Sequence, residues 1–166
     1  MSTRWLLSWL ILLLAGCAPA PLRSLVAEGP ELHPSLVTQK LEDAAILHLS
    51  PVLRANPYLS TDAAFADTIT RMSSQGRVSE GGVQAALYAL YLGEGPLGLY
   101  GLETRTEADA DRLEGTLREI WAHNGKLGLA RVHRQGRFLV VAWHNRVSDP
   151  CWEAVNAEVV RRLGSG

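Results

Sequence analysis

The chain has 166 residues, with 16 lysines and arginines against 17 aspartates and glutamates, and a formal net charge of −1. This balance gives no electrostatic basis for binding nucleic acid, which requires a basic surface. The length suits one ordinary domain, and two cysteines are too few for a disulfide-stapled scaffold.

The first sixteen residues have the three parts of an export signal. Arg4 is the one charged residue before an apolar run from Trp5 to Leu14, and the small residues Ala15 and Gly16 follow it. A transmembrane helix needs roughly 20 apolar residues, and this run has about half that number. Residues 1–16 are therefore predicted to be a signal peptide that is removed.

The end of this segment, Leu14-Ala15-Gly16-Cys17, resembles the lipobox of bacterial lipoproteins. The resemblance implies cleavage before Cys17, diacylglycerol on its thiol and an acylated amino group. Several acyl chains make a stable membrane anchor, at about 0.8 kcal/mol per buried CH₂. In Gram-negative members an aspartate after the cysteine favours the inner membrane, so Ala18 implies the periplasmic face of the outer membrane. A lipidated Cys17 also leaves Cys151 without a disulfide partner within the molecule.

Residues 17–34 contain four prolines and show no apolar periodicity. Such a composition is typical of a linker, so we predict a tether over residues 17–34. The remaining residues, 35–166, are predicted to form a single domain.

Two helices are predicted at the start of that domain. The first is capped by Ser35, has apolar residues at a spacing of three and four, and stops before Pro51. The second begins at Ser60 or Thr61 and ends at Gly76, whose conformational freedom suits a helix end.

Residues 83–92 are almost continuously apolar, which fits a buried strand or a buried helix equally well. A strand is favoured because Gly81 and Gly82 would fall in the first turn of a helix, where glycine is unfavourable. The short stretch 93–96 then leads directly to a second apolar run, which predicts a β-hairpin.

The next helix is predicted to start after Thr106, which forms an approximate capping box with Asp109. It ends at Asn124-Gly125, a pair that favours a left-handed stop. Its apolar stripe consists of Ala110, Leu113, Leu117, Ile120 and Trp121.

A second hairpin with a two-residue turn at Gln135-Gly136 follows, and then a final helix that starts at Asp149 and Pro150. One face of this hairpin is apolar and is predicted to face the core. The other face mixes polar and apolar residues, so it is expected either to be covered by the N-terminal helices or to receive a partner.

These elements predict an α+β domain. We expect an antiparallel sheet of about four strands in a ββαββα arrangement, preceded by two N-terminal helices, with helices on the core face of the sheet.

Cys151 is the candidate reactive thiol, because it lies near the predicted start of the last helix, where the positive end of the dipole favours a thiolate. The alternative is a free cysteine that acts as a small buried apolar residue. No metal site is predicted: His133 and His144 share a face of the hairpin but lie about 20 Å apart at 3.3 Å per residue. No motif in the chain indicates a cofactor.

Arg131, Arg134 and Arg137 cluster near the tip of the second hairpin and are candidate contacts for an anionic surface. Overall, the sequence predicts an envelope protein held at the membrane by its lipid, with a non-catalytic interaction or scaffold role and an envelope protein as partner. Two alternatives remain open: a thiol-dependent enzyme that uses Cys151, and a protein that binds a small ligand at the mixed face of the hairpin. The sequence does not indicate the oligomeric state.

Overall fold

A computed structural model describes residues 20–42, 52–78, 82–123 and 129–166. The predicted signal peptide, Cys17 and the predicted stop at Asn124-Gly125 lie outside these ranges. The described helices are α1 (Ala20–Arg23), α2 (Gly29–Leu32), α3 (Ala63–Ser73), α4 (Glu107–His123) and α5 (Asp149–Leu163). The described strands are β1 (Val37–Thr38), β2 (Tyr58–Ser60), β3 (Val83–Leu92), β4 (Pro96–Thr104), β5 (Ala130–Gln135) and β6 (Phe138–His144).

All six strands belong to one antiparallel sheet with the order β1-β3-β4-β6-β5, and β2 also pairs with β3. The prediction of a strand at residues 83–92, followed by a hairpin, is confirmed: β3 and β4 pair along their length from Leu92 and Pro96 at the turn. The two long strands form the centre of the molecule, which explains their nearly continuous apolar sequence.

The sheet is buried on both faces. One face packs against α5 and residues 22–36, and the other against α3 and α4, so the domain has three layers. The first cluster includes Leu87, Ala89, Tyr91, Leu97, Leu99, Val140 and Ala142 from the strands. The second includes Ala86, Tyr88, Leu90, Tyr100, Leu102, Val132, Leu139 and Val141.

The predicted α+β class and antiparallel sheet are confirmed, but the arrangement differs from the prediction. The sheet has six strands instead of about four, because β1 and β2 add to the free edge of β3. The first predicted N-terminal helix is wrong over its described part, since Val37 and Thr38 pair with β3. The second is confirmed as α3, whose cap is Asp62: its carboxylate accepts the backbone N–H of Phe65 at 2.9 Å.

The prediction of a tether is wrong for the described residues 20–34. Leu22, Leu25 and Leu32 are each at most 5% exposed and belong to the core beneath α5. Pro21 lies in α1, and Pro30 lies in the first turn of α2, where its missing N–H has no partner to lose. Two of the four prolines therefore start helical turns, and the folded domain begins by Ala20.

The second hairpin and the last helix are confirmed, with small shifts. Gln135 pairs with Phe138, so the turn is Gly136-Arg137, and Gly136 has a φ of +55° that suits the first position of a type II′ turn. The predicted turn would pair Arg134 with Arg137, whereas Arg134 pairs with Leu139. Because the partner changes by two residues, each side chain stays on the face that was predicted for it. The mixed face is covered, as one of the two alternatives predicted. The covering elements are α5 and residues 22–36 instead of the predicted N-terminal helices.

The edges of the sheet are closed partly by side chains. Between β1 and β2, the amide of Asn56 accepts the N–H of Leu90 at 2.9 Å and donates to its carbonyl at 2.7 Å. At the opposite edge, Arg118 donates to the carbonyl of Val132 in β5 at 3.0 Å. In the part of the chain that the structure covers, no helix has both the length and the apolar character needed to cross a bilayer.

Candidate functional site

Cys151 lies beside a histidine that is distant in sequence. It is the third residue of α5, and its Sγ is 3.5 Å from Nδ1 of His33 and 3.7 Å from Oγ of Ser35. The cysteine is 6% exposed, while His33 is half-buried and Ser35 is exposed. The three side chains, called here the thiol cluster, therefore reach from the core to the surface at the N-terminal end of α5.

The chain after α2 positions the histidine. His33 ends this helix in an extended conformation, and its carbonyl accepts the N–H of Leu36 at 3.0 Å. Leu32 and Leu36, on either side, are buried in the same core as α5. These two leucines fix the turn against the helix and hold the imidazole over the thiol.

Hydrogen bonds define which imidazole nitrogen faces the sulfur. The backbone N–H of Ser35 donates to Nδ1 of His33 at 3.3 Å, and the Ser35 hydroxyl lies 2.8 Å from the same atom. An acceptor role for Nδ1 places the proton of a neutral ring on Nε2. The lone pair of Nδ1 is then directed toward the thiol and the hydroxyl.

The start of α5 is held in place by its neighbours. The Glu94 carboxylate accepts the N–H of Ser148, the residue before the helix, at 2.8 Å. His144 accepts the N–H of Val147 at 3.3 Å, and its ring lies 4.4 Å from that of Trp152. The first-turn N–H groups of α5 have no partner within the helix, and Ser148 adds no side-chain cap.

A thiol next to a neutral imidazole is the pair that nucleophilic cysteine chemistry requires, since the base takes the proton as the sulfur attacks. Ser35 lies against both groups and can orient the imidazole or hydrogen-bond to the sulfur. The burial of Cys151 restricts this chemistry to a small reagent or to a state in which the turn at residues 33–36 moves outward.

The three candidate arginines of the hairpin are all engaged with carboxylates. Arg134 contacts Asp111 and Glu114 of α4. Arg137 binds Glu103 at 2.8 Å, and this carboxylate is only 4% exposed. Ion pairs of this kind reduce the positive charge that the hairpin tip presents to its surroundings.

Arg131 lies away from the tip, opposite Ala142. Both of its terminal nitrogens bind Glu153, and its guanidinium lies 5.6 Å from the centre of the Trp152 ring. The structure therefore separates Arg131 from the other two arginines and places it against α5.

His133 is held by a hydrogen bond to α5. Its Nε2 lies 2.7 Å from Oδ1 of Asn156. Burial lowers the pKa of His133 below its ordinary value, the Asn156 hydrogen bond opposes this, and the positive charges of Arg131 and Arg118 lower the pKa further. Within the described ranges, no three His, Cys, Asp or Glu side chains form a group that could hold a metal ion.

Two surface clefts lie outside the thiol cluster. One, of about 510 Å³, is lined by residues around Tyr58 and Phe65, and the other, of about 440 Å³, lies between α4 and β5 beside Trp121. Arg131 and His133 of the mixed face line the second cleft, whereas α5 and residues 22–36 cover the rest of that face, where the small-ligand alternative places its site.

No family model, curated protein or solved structure matches the chain.

Sequence reasoning identified Cys151 but missed His33 and Ser35. His33 falls in the predicted tether and Ser35 at the cap of the predicted first helix, and neither residue was expected to contact Cys151. A signal was present in the apolar residues Leu32 and Leu36, whose spacing places both on one side of the intervening turn.

Proposed function

We propose that this chain is a lipid-anchored protein of the bacterial cell envelope, with Cys17 as the lipidated residue and the periplasmic face of the outer membrane as its location. The observation that supports this best is the lipobox-like Leu14-Ala15-Gly16-Cys17 directly behind a short apolar run. Removal of residues 1–16 would keep every residue that the structure describes.

The role proposed for the domain is that of a non-catalytic interaction or scaffold module that binds another envelope protein. The ββαββα order from β3 to α5 is its proposed structural unit, to which β1 and β2 add at one edge. Both faces of the sheet are covered, so a partner would contact the ends of the layers, the clefts or the outer surfaces of the helices. Binding of Arg131, Arg134 and Arg137 to an anionic surface stays a prediction, and each would have to exchange a carboxylate partner for it.

Metabolic labelling with a clickable fatty acid tests the anchor. We expect the wild type and Cys151→Ala to be labelled equally and Cys17→Ala to lose the label, because Cys151 is buried in the folded domain. Equal labelling of Cys17→Ala would disprove the proposal. Crosslinking in intact cells, followed by identification of the attached proteins, then tests the interaction role.

A second candidate function, thiol-dependent chemistry at Cys151, is favoured by the contact between its Sγ and Nδ1 of His33. Iodoacetamide is a suitable probe: the sulfur forms a bond to carbon, iodide leaves and the thiol proton passes to His33. The proposal expects alkylation of the folded protein that is at least tenfold slower in His33→Ala than in the wild type. If iodoacetamide reacts with Cys151 only after denaturation, the cysteine acts as a buried apolar residue and the proposed thiol chemistry is wrong.

A further inference from the structure

The link between the proposed anchor and the domain is short. Three residue steps separate Cys17 from Ala20, and at 3.8 Å per step they span at most about 11 Å. The predicted tether would have let the domain move well away from the membrane, whereas this link keeps Ala20 close to the anchor.

The chain enters the domain beside the C-terminal end of α5. The Ser24 hydroxyl donates to the carbonyl of Arg162 at 2.7 Å, and the Arg162 side chain donates to the carbonyl of Ser24 at 3.0 Å. Ala20 is one helical turn from Ser24, or about 6 Å along the axis. The anchored end of the chain is therefore joined to the last turn of α5.

The same end of the molecule carries the tip of the second hairpin. Gly164, which follows α5, lies beside Gln135, and the carbonyl of Arg137 accepts the N–H of Thr104 at 3.0 Å. We call this the near end. Its surface carries the exposed Arg161, which is paired with Glu158 of its own helix. Exposed ion pairs of this kind contribute little to stability, so the arginine can exchange its carboxylate partner for another anion, such as a lipid phosphate.

The thiol cluster lies at the opposite end of α5. Eleven residues separate Cys151 from Arg162, which corresponds to about 16 Å along the helix axis. The stretch Gly93–Gly95 and Asn145 are at this far end too, since the N–H of Asn145 donates to the carbonyl of Pro96 at 2.9 Å. A link of about 11 Å that starts at the near end keeps that end close to the anchor, and the far end of α5 is the end more distant from it.

We propose that the domain stands on the membrane with its near end against the lipid headgroups and its far end, with the thiol cluster, directed into the periplasm. This inference rests on the proposed lipid anchor at Cys17. Its partner is the headgroup layer of the membrane that holds the anchor, and the far end is the surface presented to soluble molecules.

Fluorescence quenching of the full lipidated chain in vesicles tests the orientation. In a Cys151→Ala background, a label is attached through Ser165→Cys at the near end or through Asn145→Cys at the far end, both of which are exposed positions. The vesicles contain lipids with a nitroxide on the headgroup, which quenches only at short range. We expect quenching of the Ser165→Cys label to be at least threefold stronger.

Flexible insertion is the matched control. Twenty Gly and Ser residues placed after Ala18 would have an r.m.s. length of about 25 Å, enough to release the domain, and the difference between the two labels should then fall below 1.5-fold. A difference that survives the insertion overturns the role of the short link, and equal quenching without the insertion overturns the orientation. Failure of the wild type to float with vesicles overturns the anchor itself, and so separates the two proposals.

Discussion

Truncation of Leu22 tests whether residues 20–34 belong to the core. Leu22 is fully buried against the sheet near Gly101 and Leu87. Leu22→Ala removes three carbon atoms, which at about 0.8 kcal/mol per buried CH₂ loses about 2.4 kcal/mol. A residual cavity adds to this loss, so we expect a decrease of about 2.5–4 kcal/mol in the free energy of unfolding.

The matched control is Leu92→Ala, because Leu92 is 44% exposed. Because only about half of the Leu92 side chain is buried, Leu92→Ala loses about half of the same transfer energy, and the free energy of unfolding should fall by about 1 kcal/mol. Urea unfolding of a chain that starts at Ala18, followed by tryptophan fluorescence, measures both. In thermal unfolding the Leu22 variant should melt about 5–15 °C below the wild type. A Leu22→Ala variant whose free energy of unfolding lies within about 0.5 kcal/mol of the wild type would contradict the burial of Leu22 and support the predicted tether.

Three further changes test the packing, the ion pairs and the titration of the domain. Arg137→Gln leaves the buried carboxylate of Glu103 without its cation and should cost about 1–3 kcal/mol in urea unfolding, less than for a fully buried pair because Arg137 is 45% exposed. Gly98→Ala should cost about 1–3 kcal/mol or more, because its Cβ would lie 2.4 Å from the Trp143 ring. The lowered pKa of His133 means that the unfolded chain takes up the proton more readily, so stability should fall as the pH drops below about 6.5, and His133→Gln should make this dependence shallower.

The first two of these changes have matched controls. Arg112→Gln removes a guanidinium that is 79% exposed and should change stability by less than about 0.5 kcal/mol. Gly115→Ala lies in α4 with no atom near its Cβ and should stabilise the protein by up to about 1 kcal/mol. Equal losses for Arg137→Gln and Arg112→Gln, a neutral Gly98→Ala, or an unchanged pH dependence in His133→Gln would each contradict the corresponding contact.

The elements that the sequence predicted well are those with strong local signals. The hydroxyl of Thr106 accepts the N–H of Asp109 at 3.1 Å, as a helix cap does, and α4 follows directly. The apolar runs of β3 and β4 are long enough to be recognised without knowledge of their partners. In α5, the buried residues Trp152, Val155, Val159 and Leu163 recur at a spacing of three and four, which is the apolar pattern that indicates a helix in a sequence.

The elements that were missed depend on contacts between distant residues. β1 has two residues and β2 has three, which is too short for any periodic pattern, and both exist only through pairing with β3. Residues 20–34 were predicted to be part of a tether because of their prolines, whereas their irregularly spaced leucines are buried in the core and hold the segment against the sheet. The thiol cluster joins residues 33 and 151, and no local rule could have brought these together.

The closure of β3 by Asn56 bears on the behaviour of many copies of this protein crowded together. The strand is ten residues long, carries no charge and is rich in apolar residues, features that favour cross-β stacking of identical chains. Its outer edge is occupied in turn by β1, the Asn56 amide and β2, so a strand from another molecule finds the hydrogen-bonding groups of Leu90 already satisfied. The Asn56 side chain thus closes the gap between two strands that are each too short to cover the edge alone, and Asn56→Ala would leave the N–H of Leu90 open to a strand from another molecule.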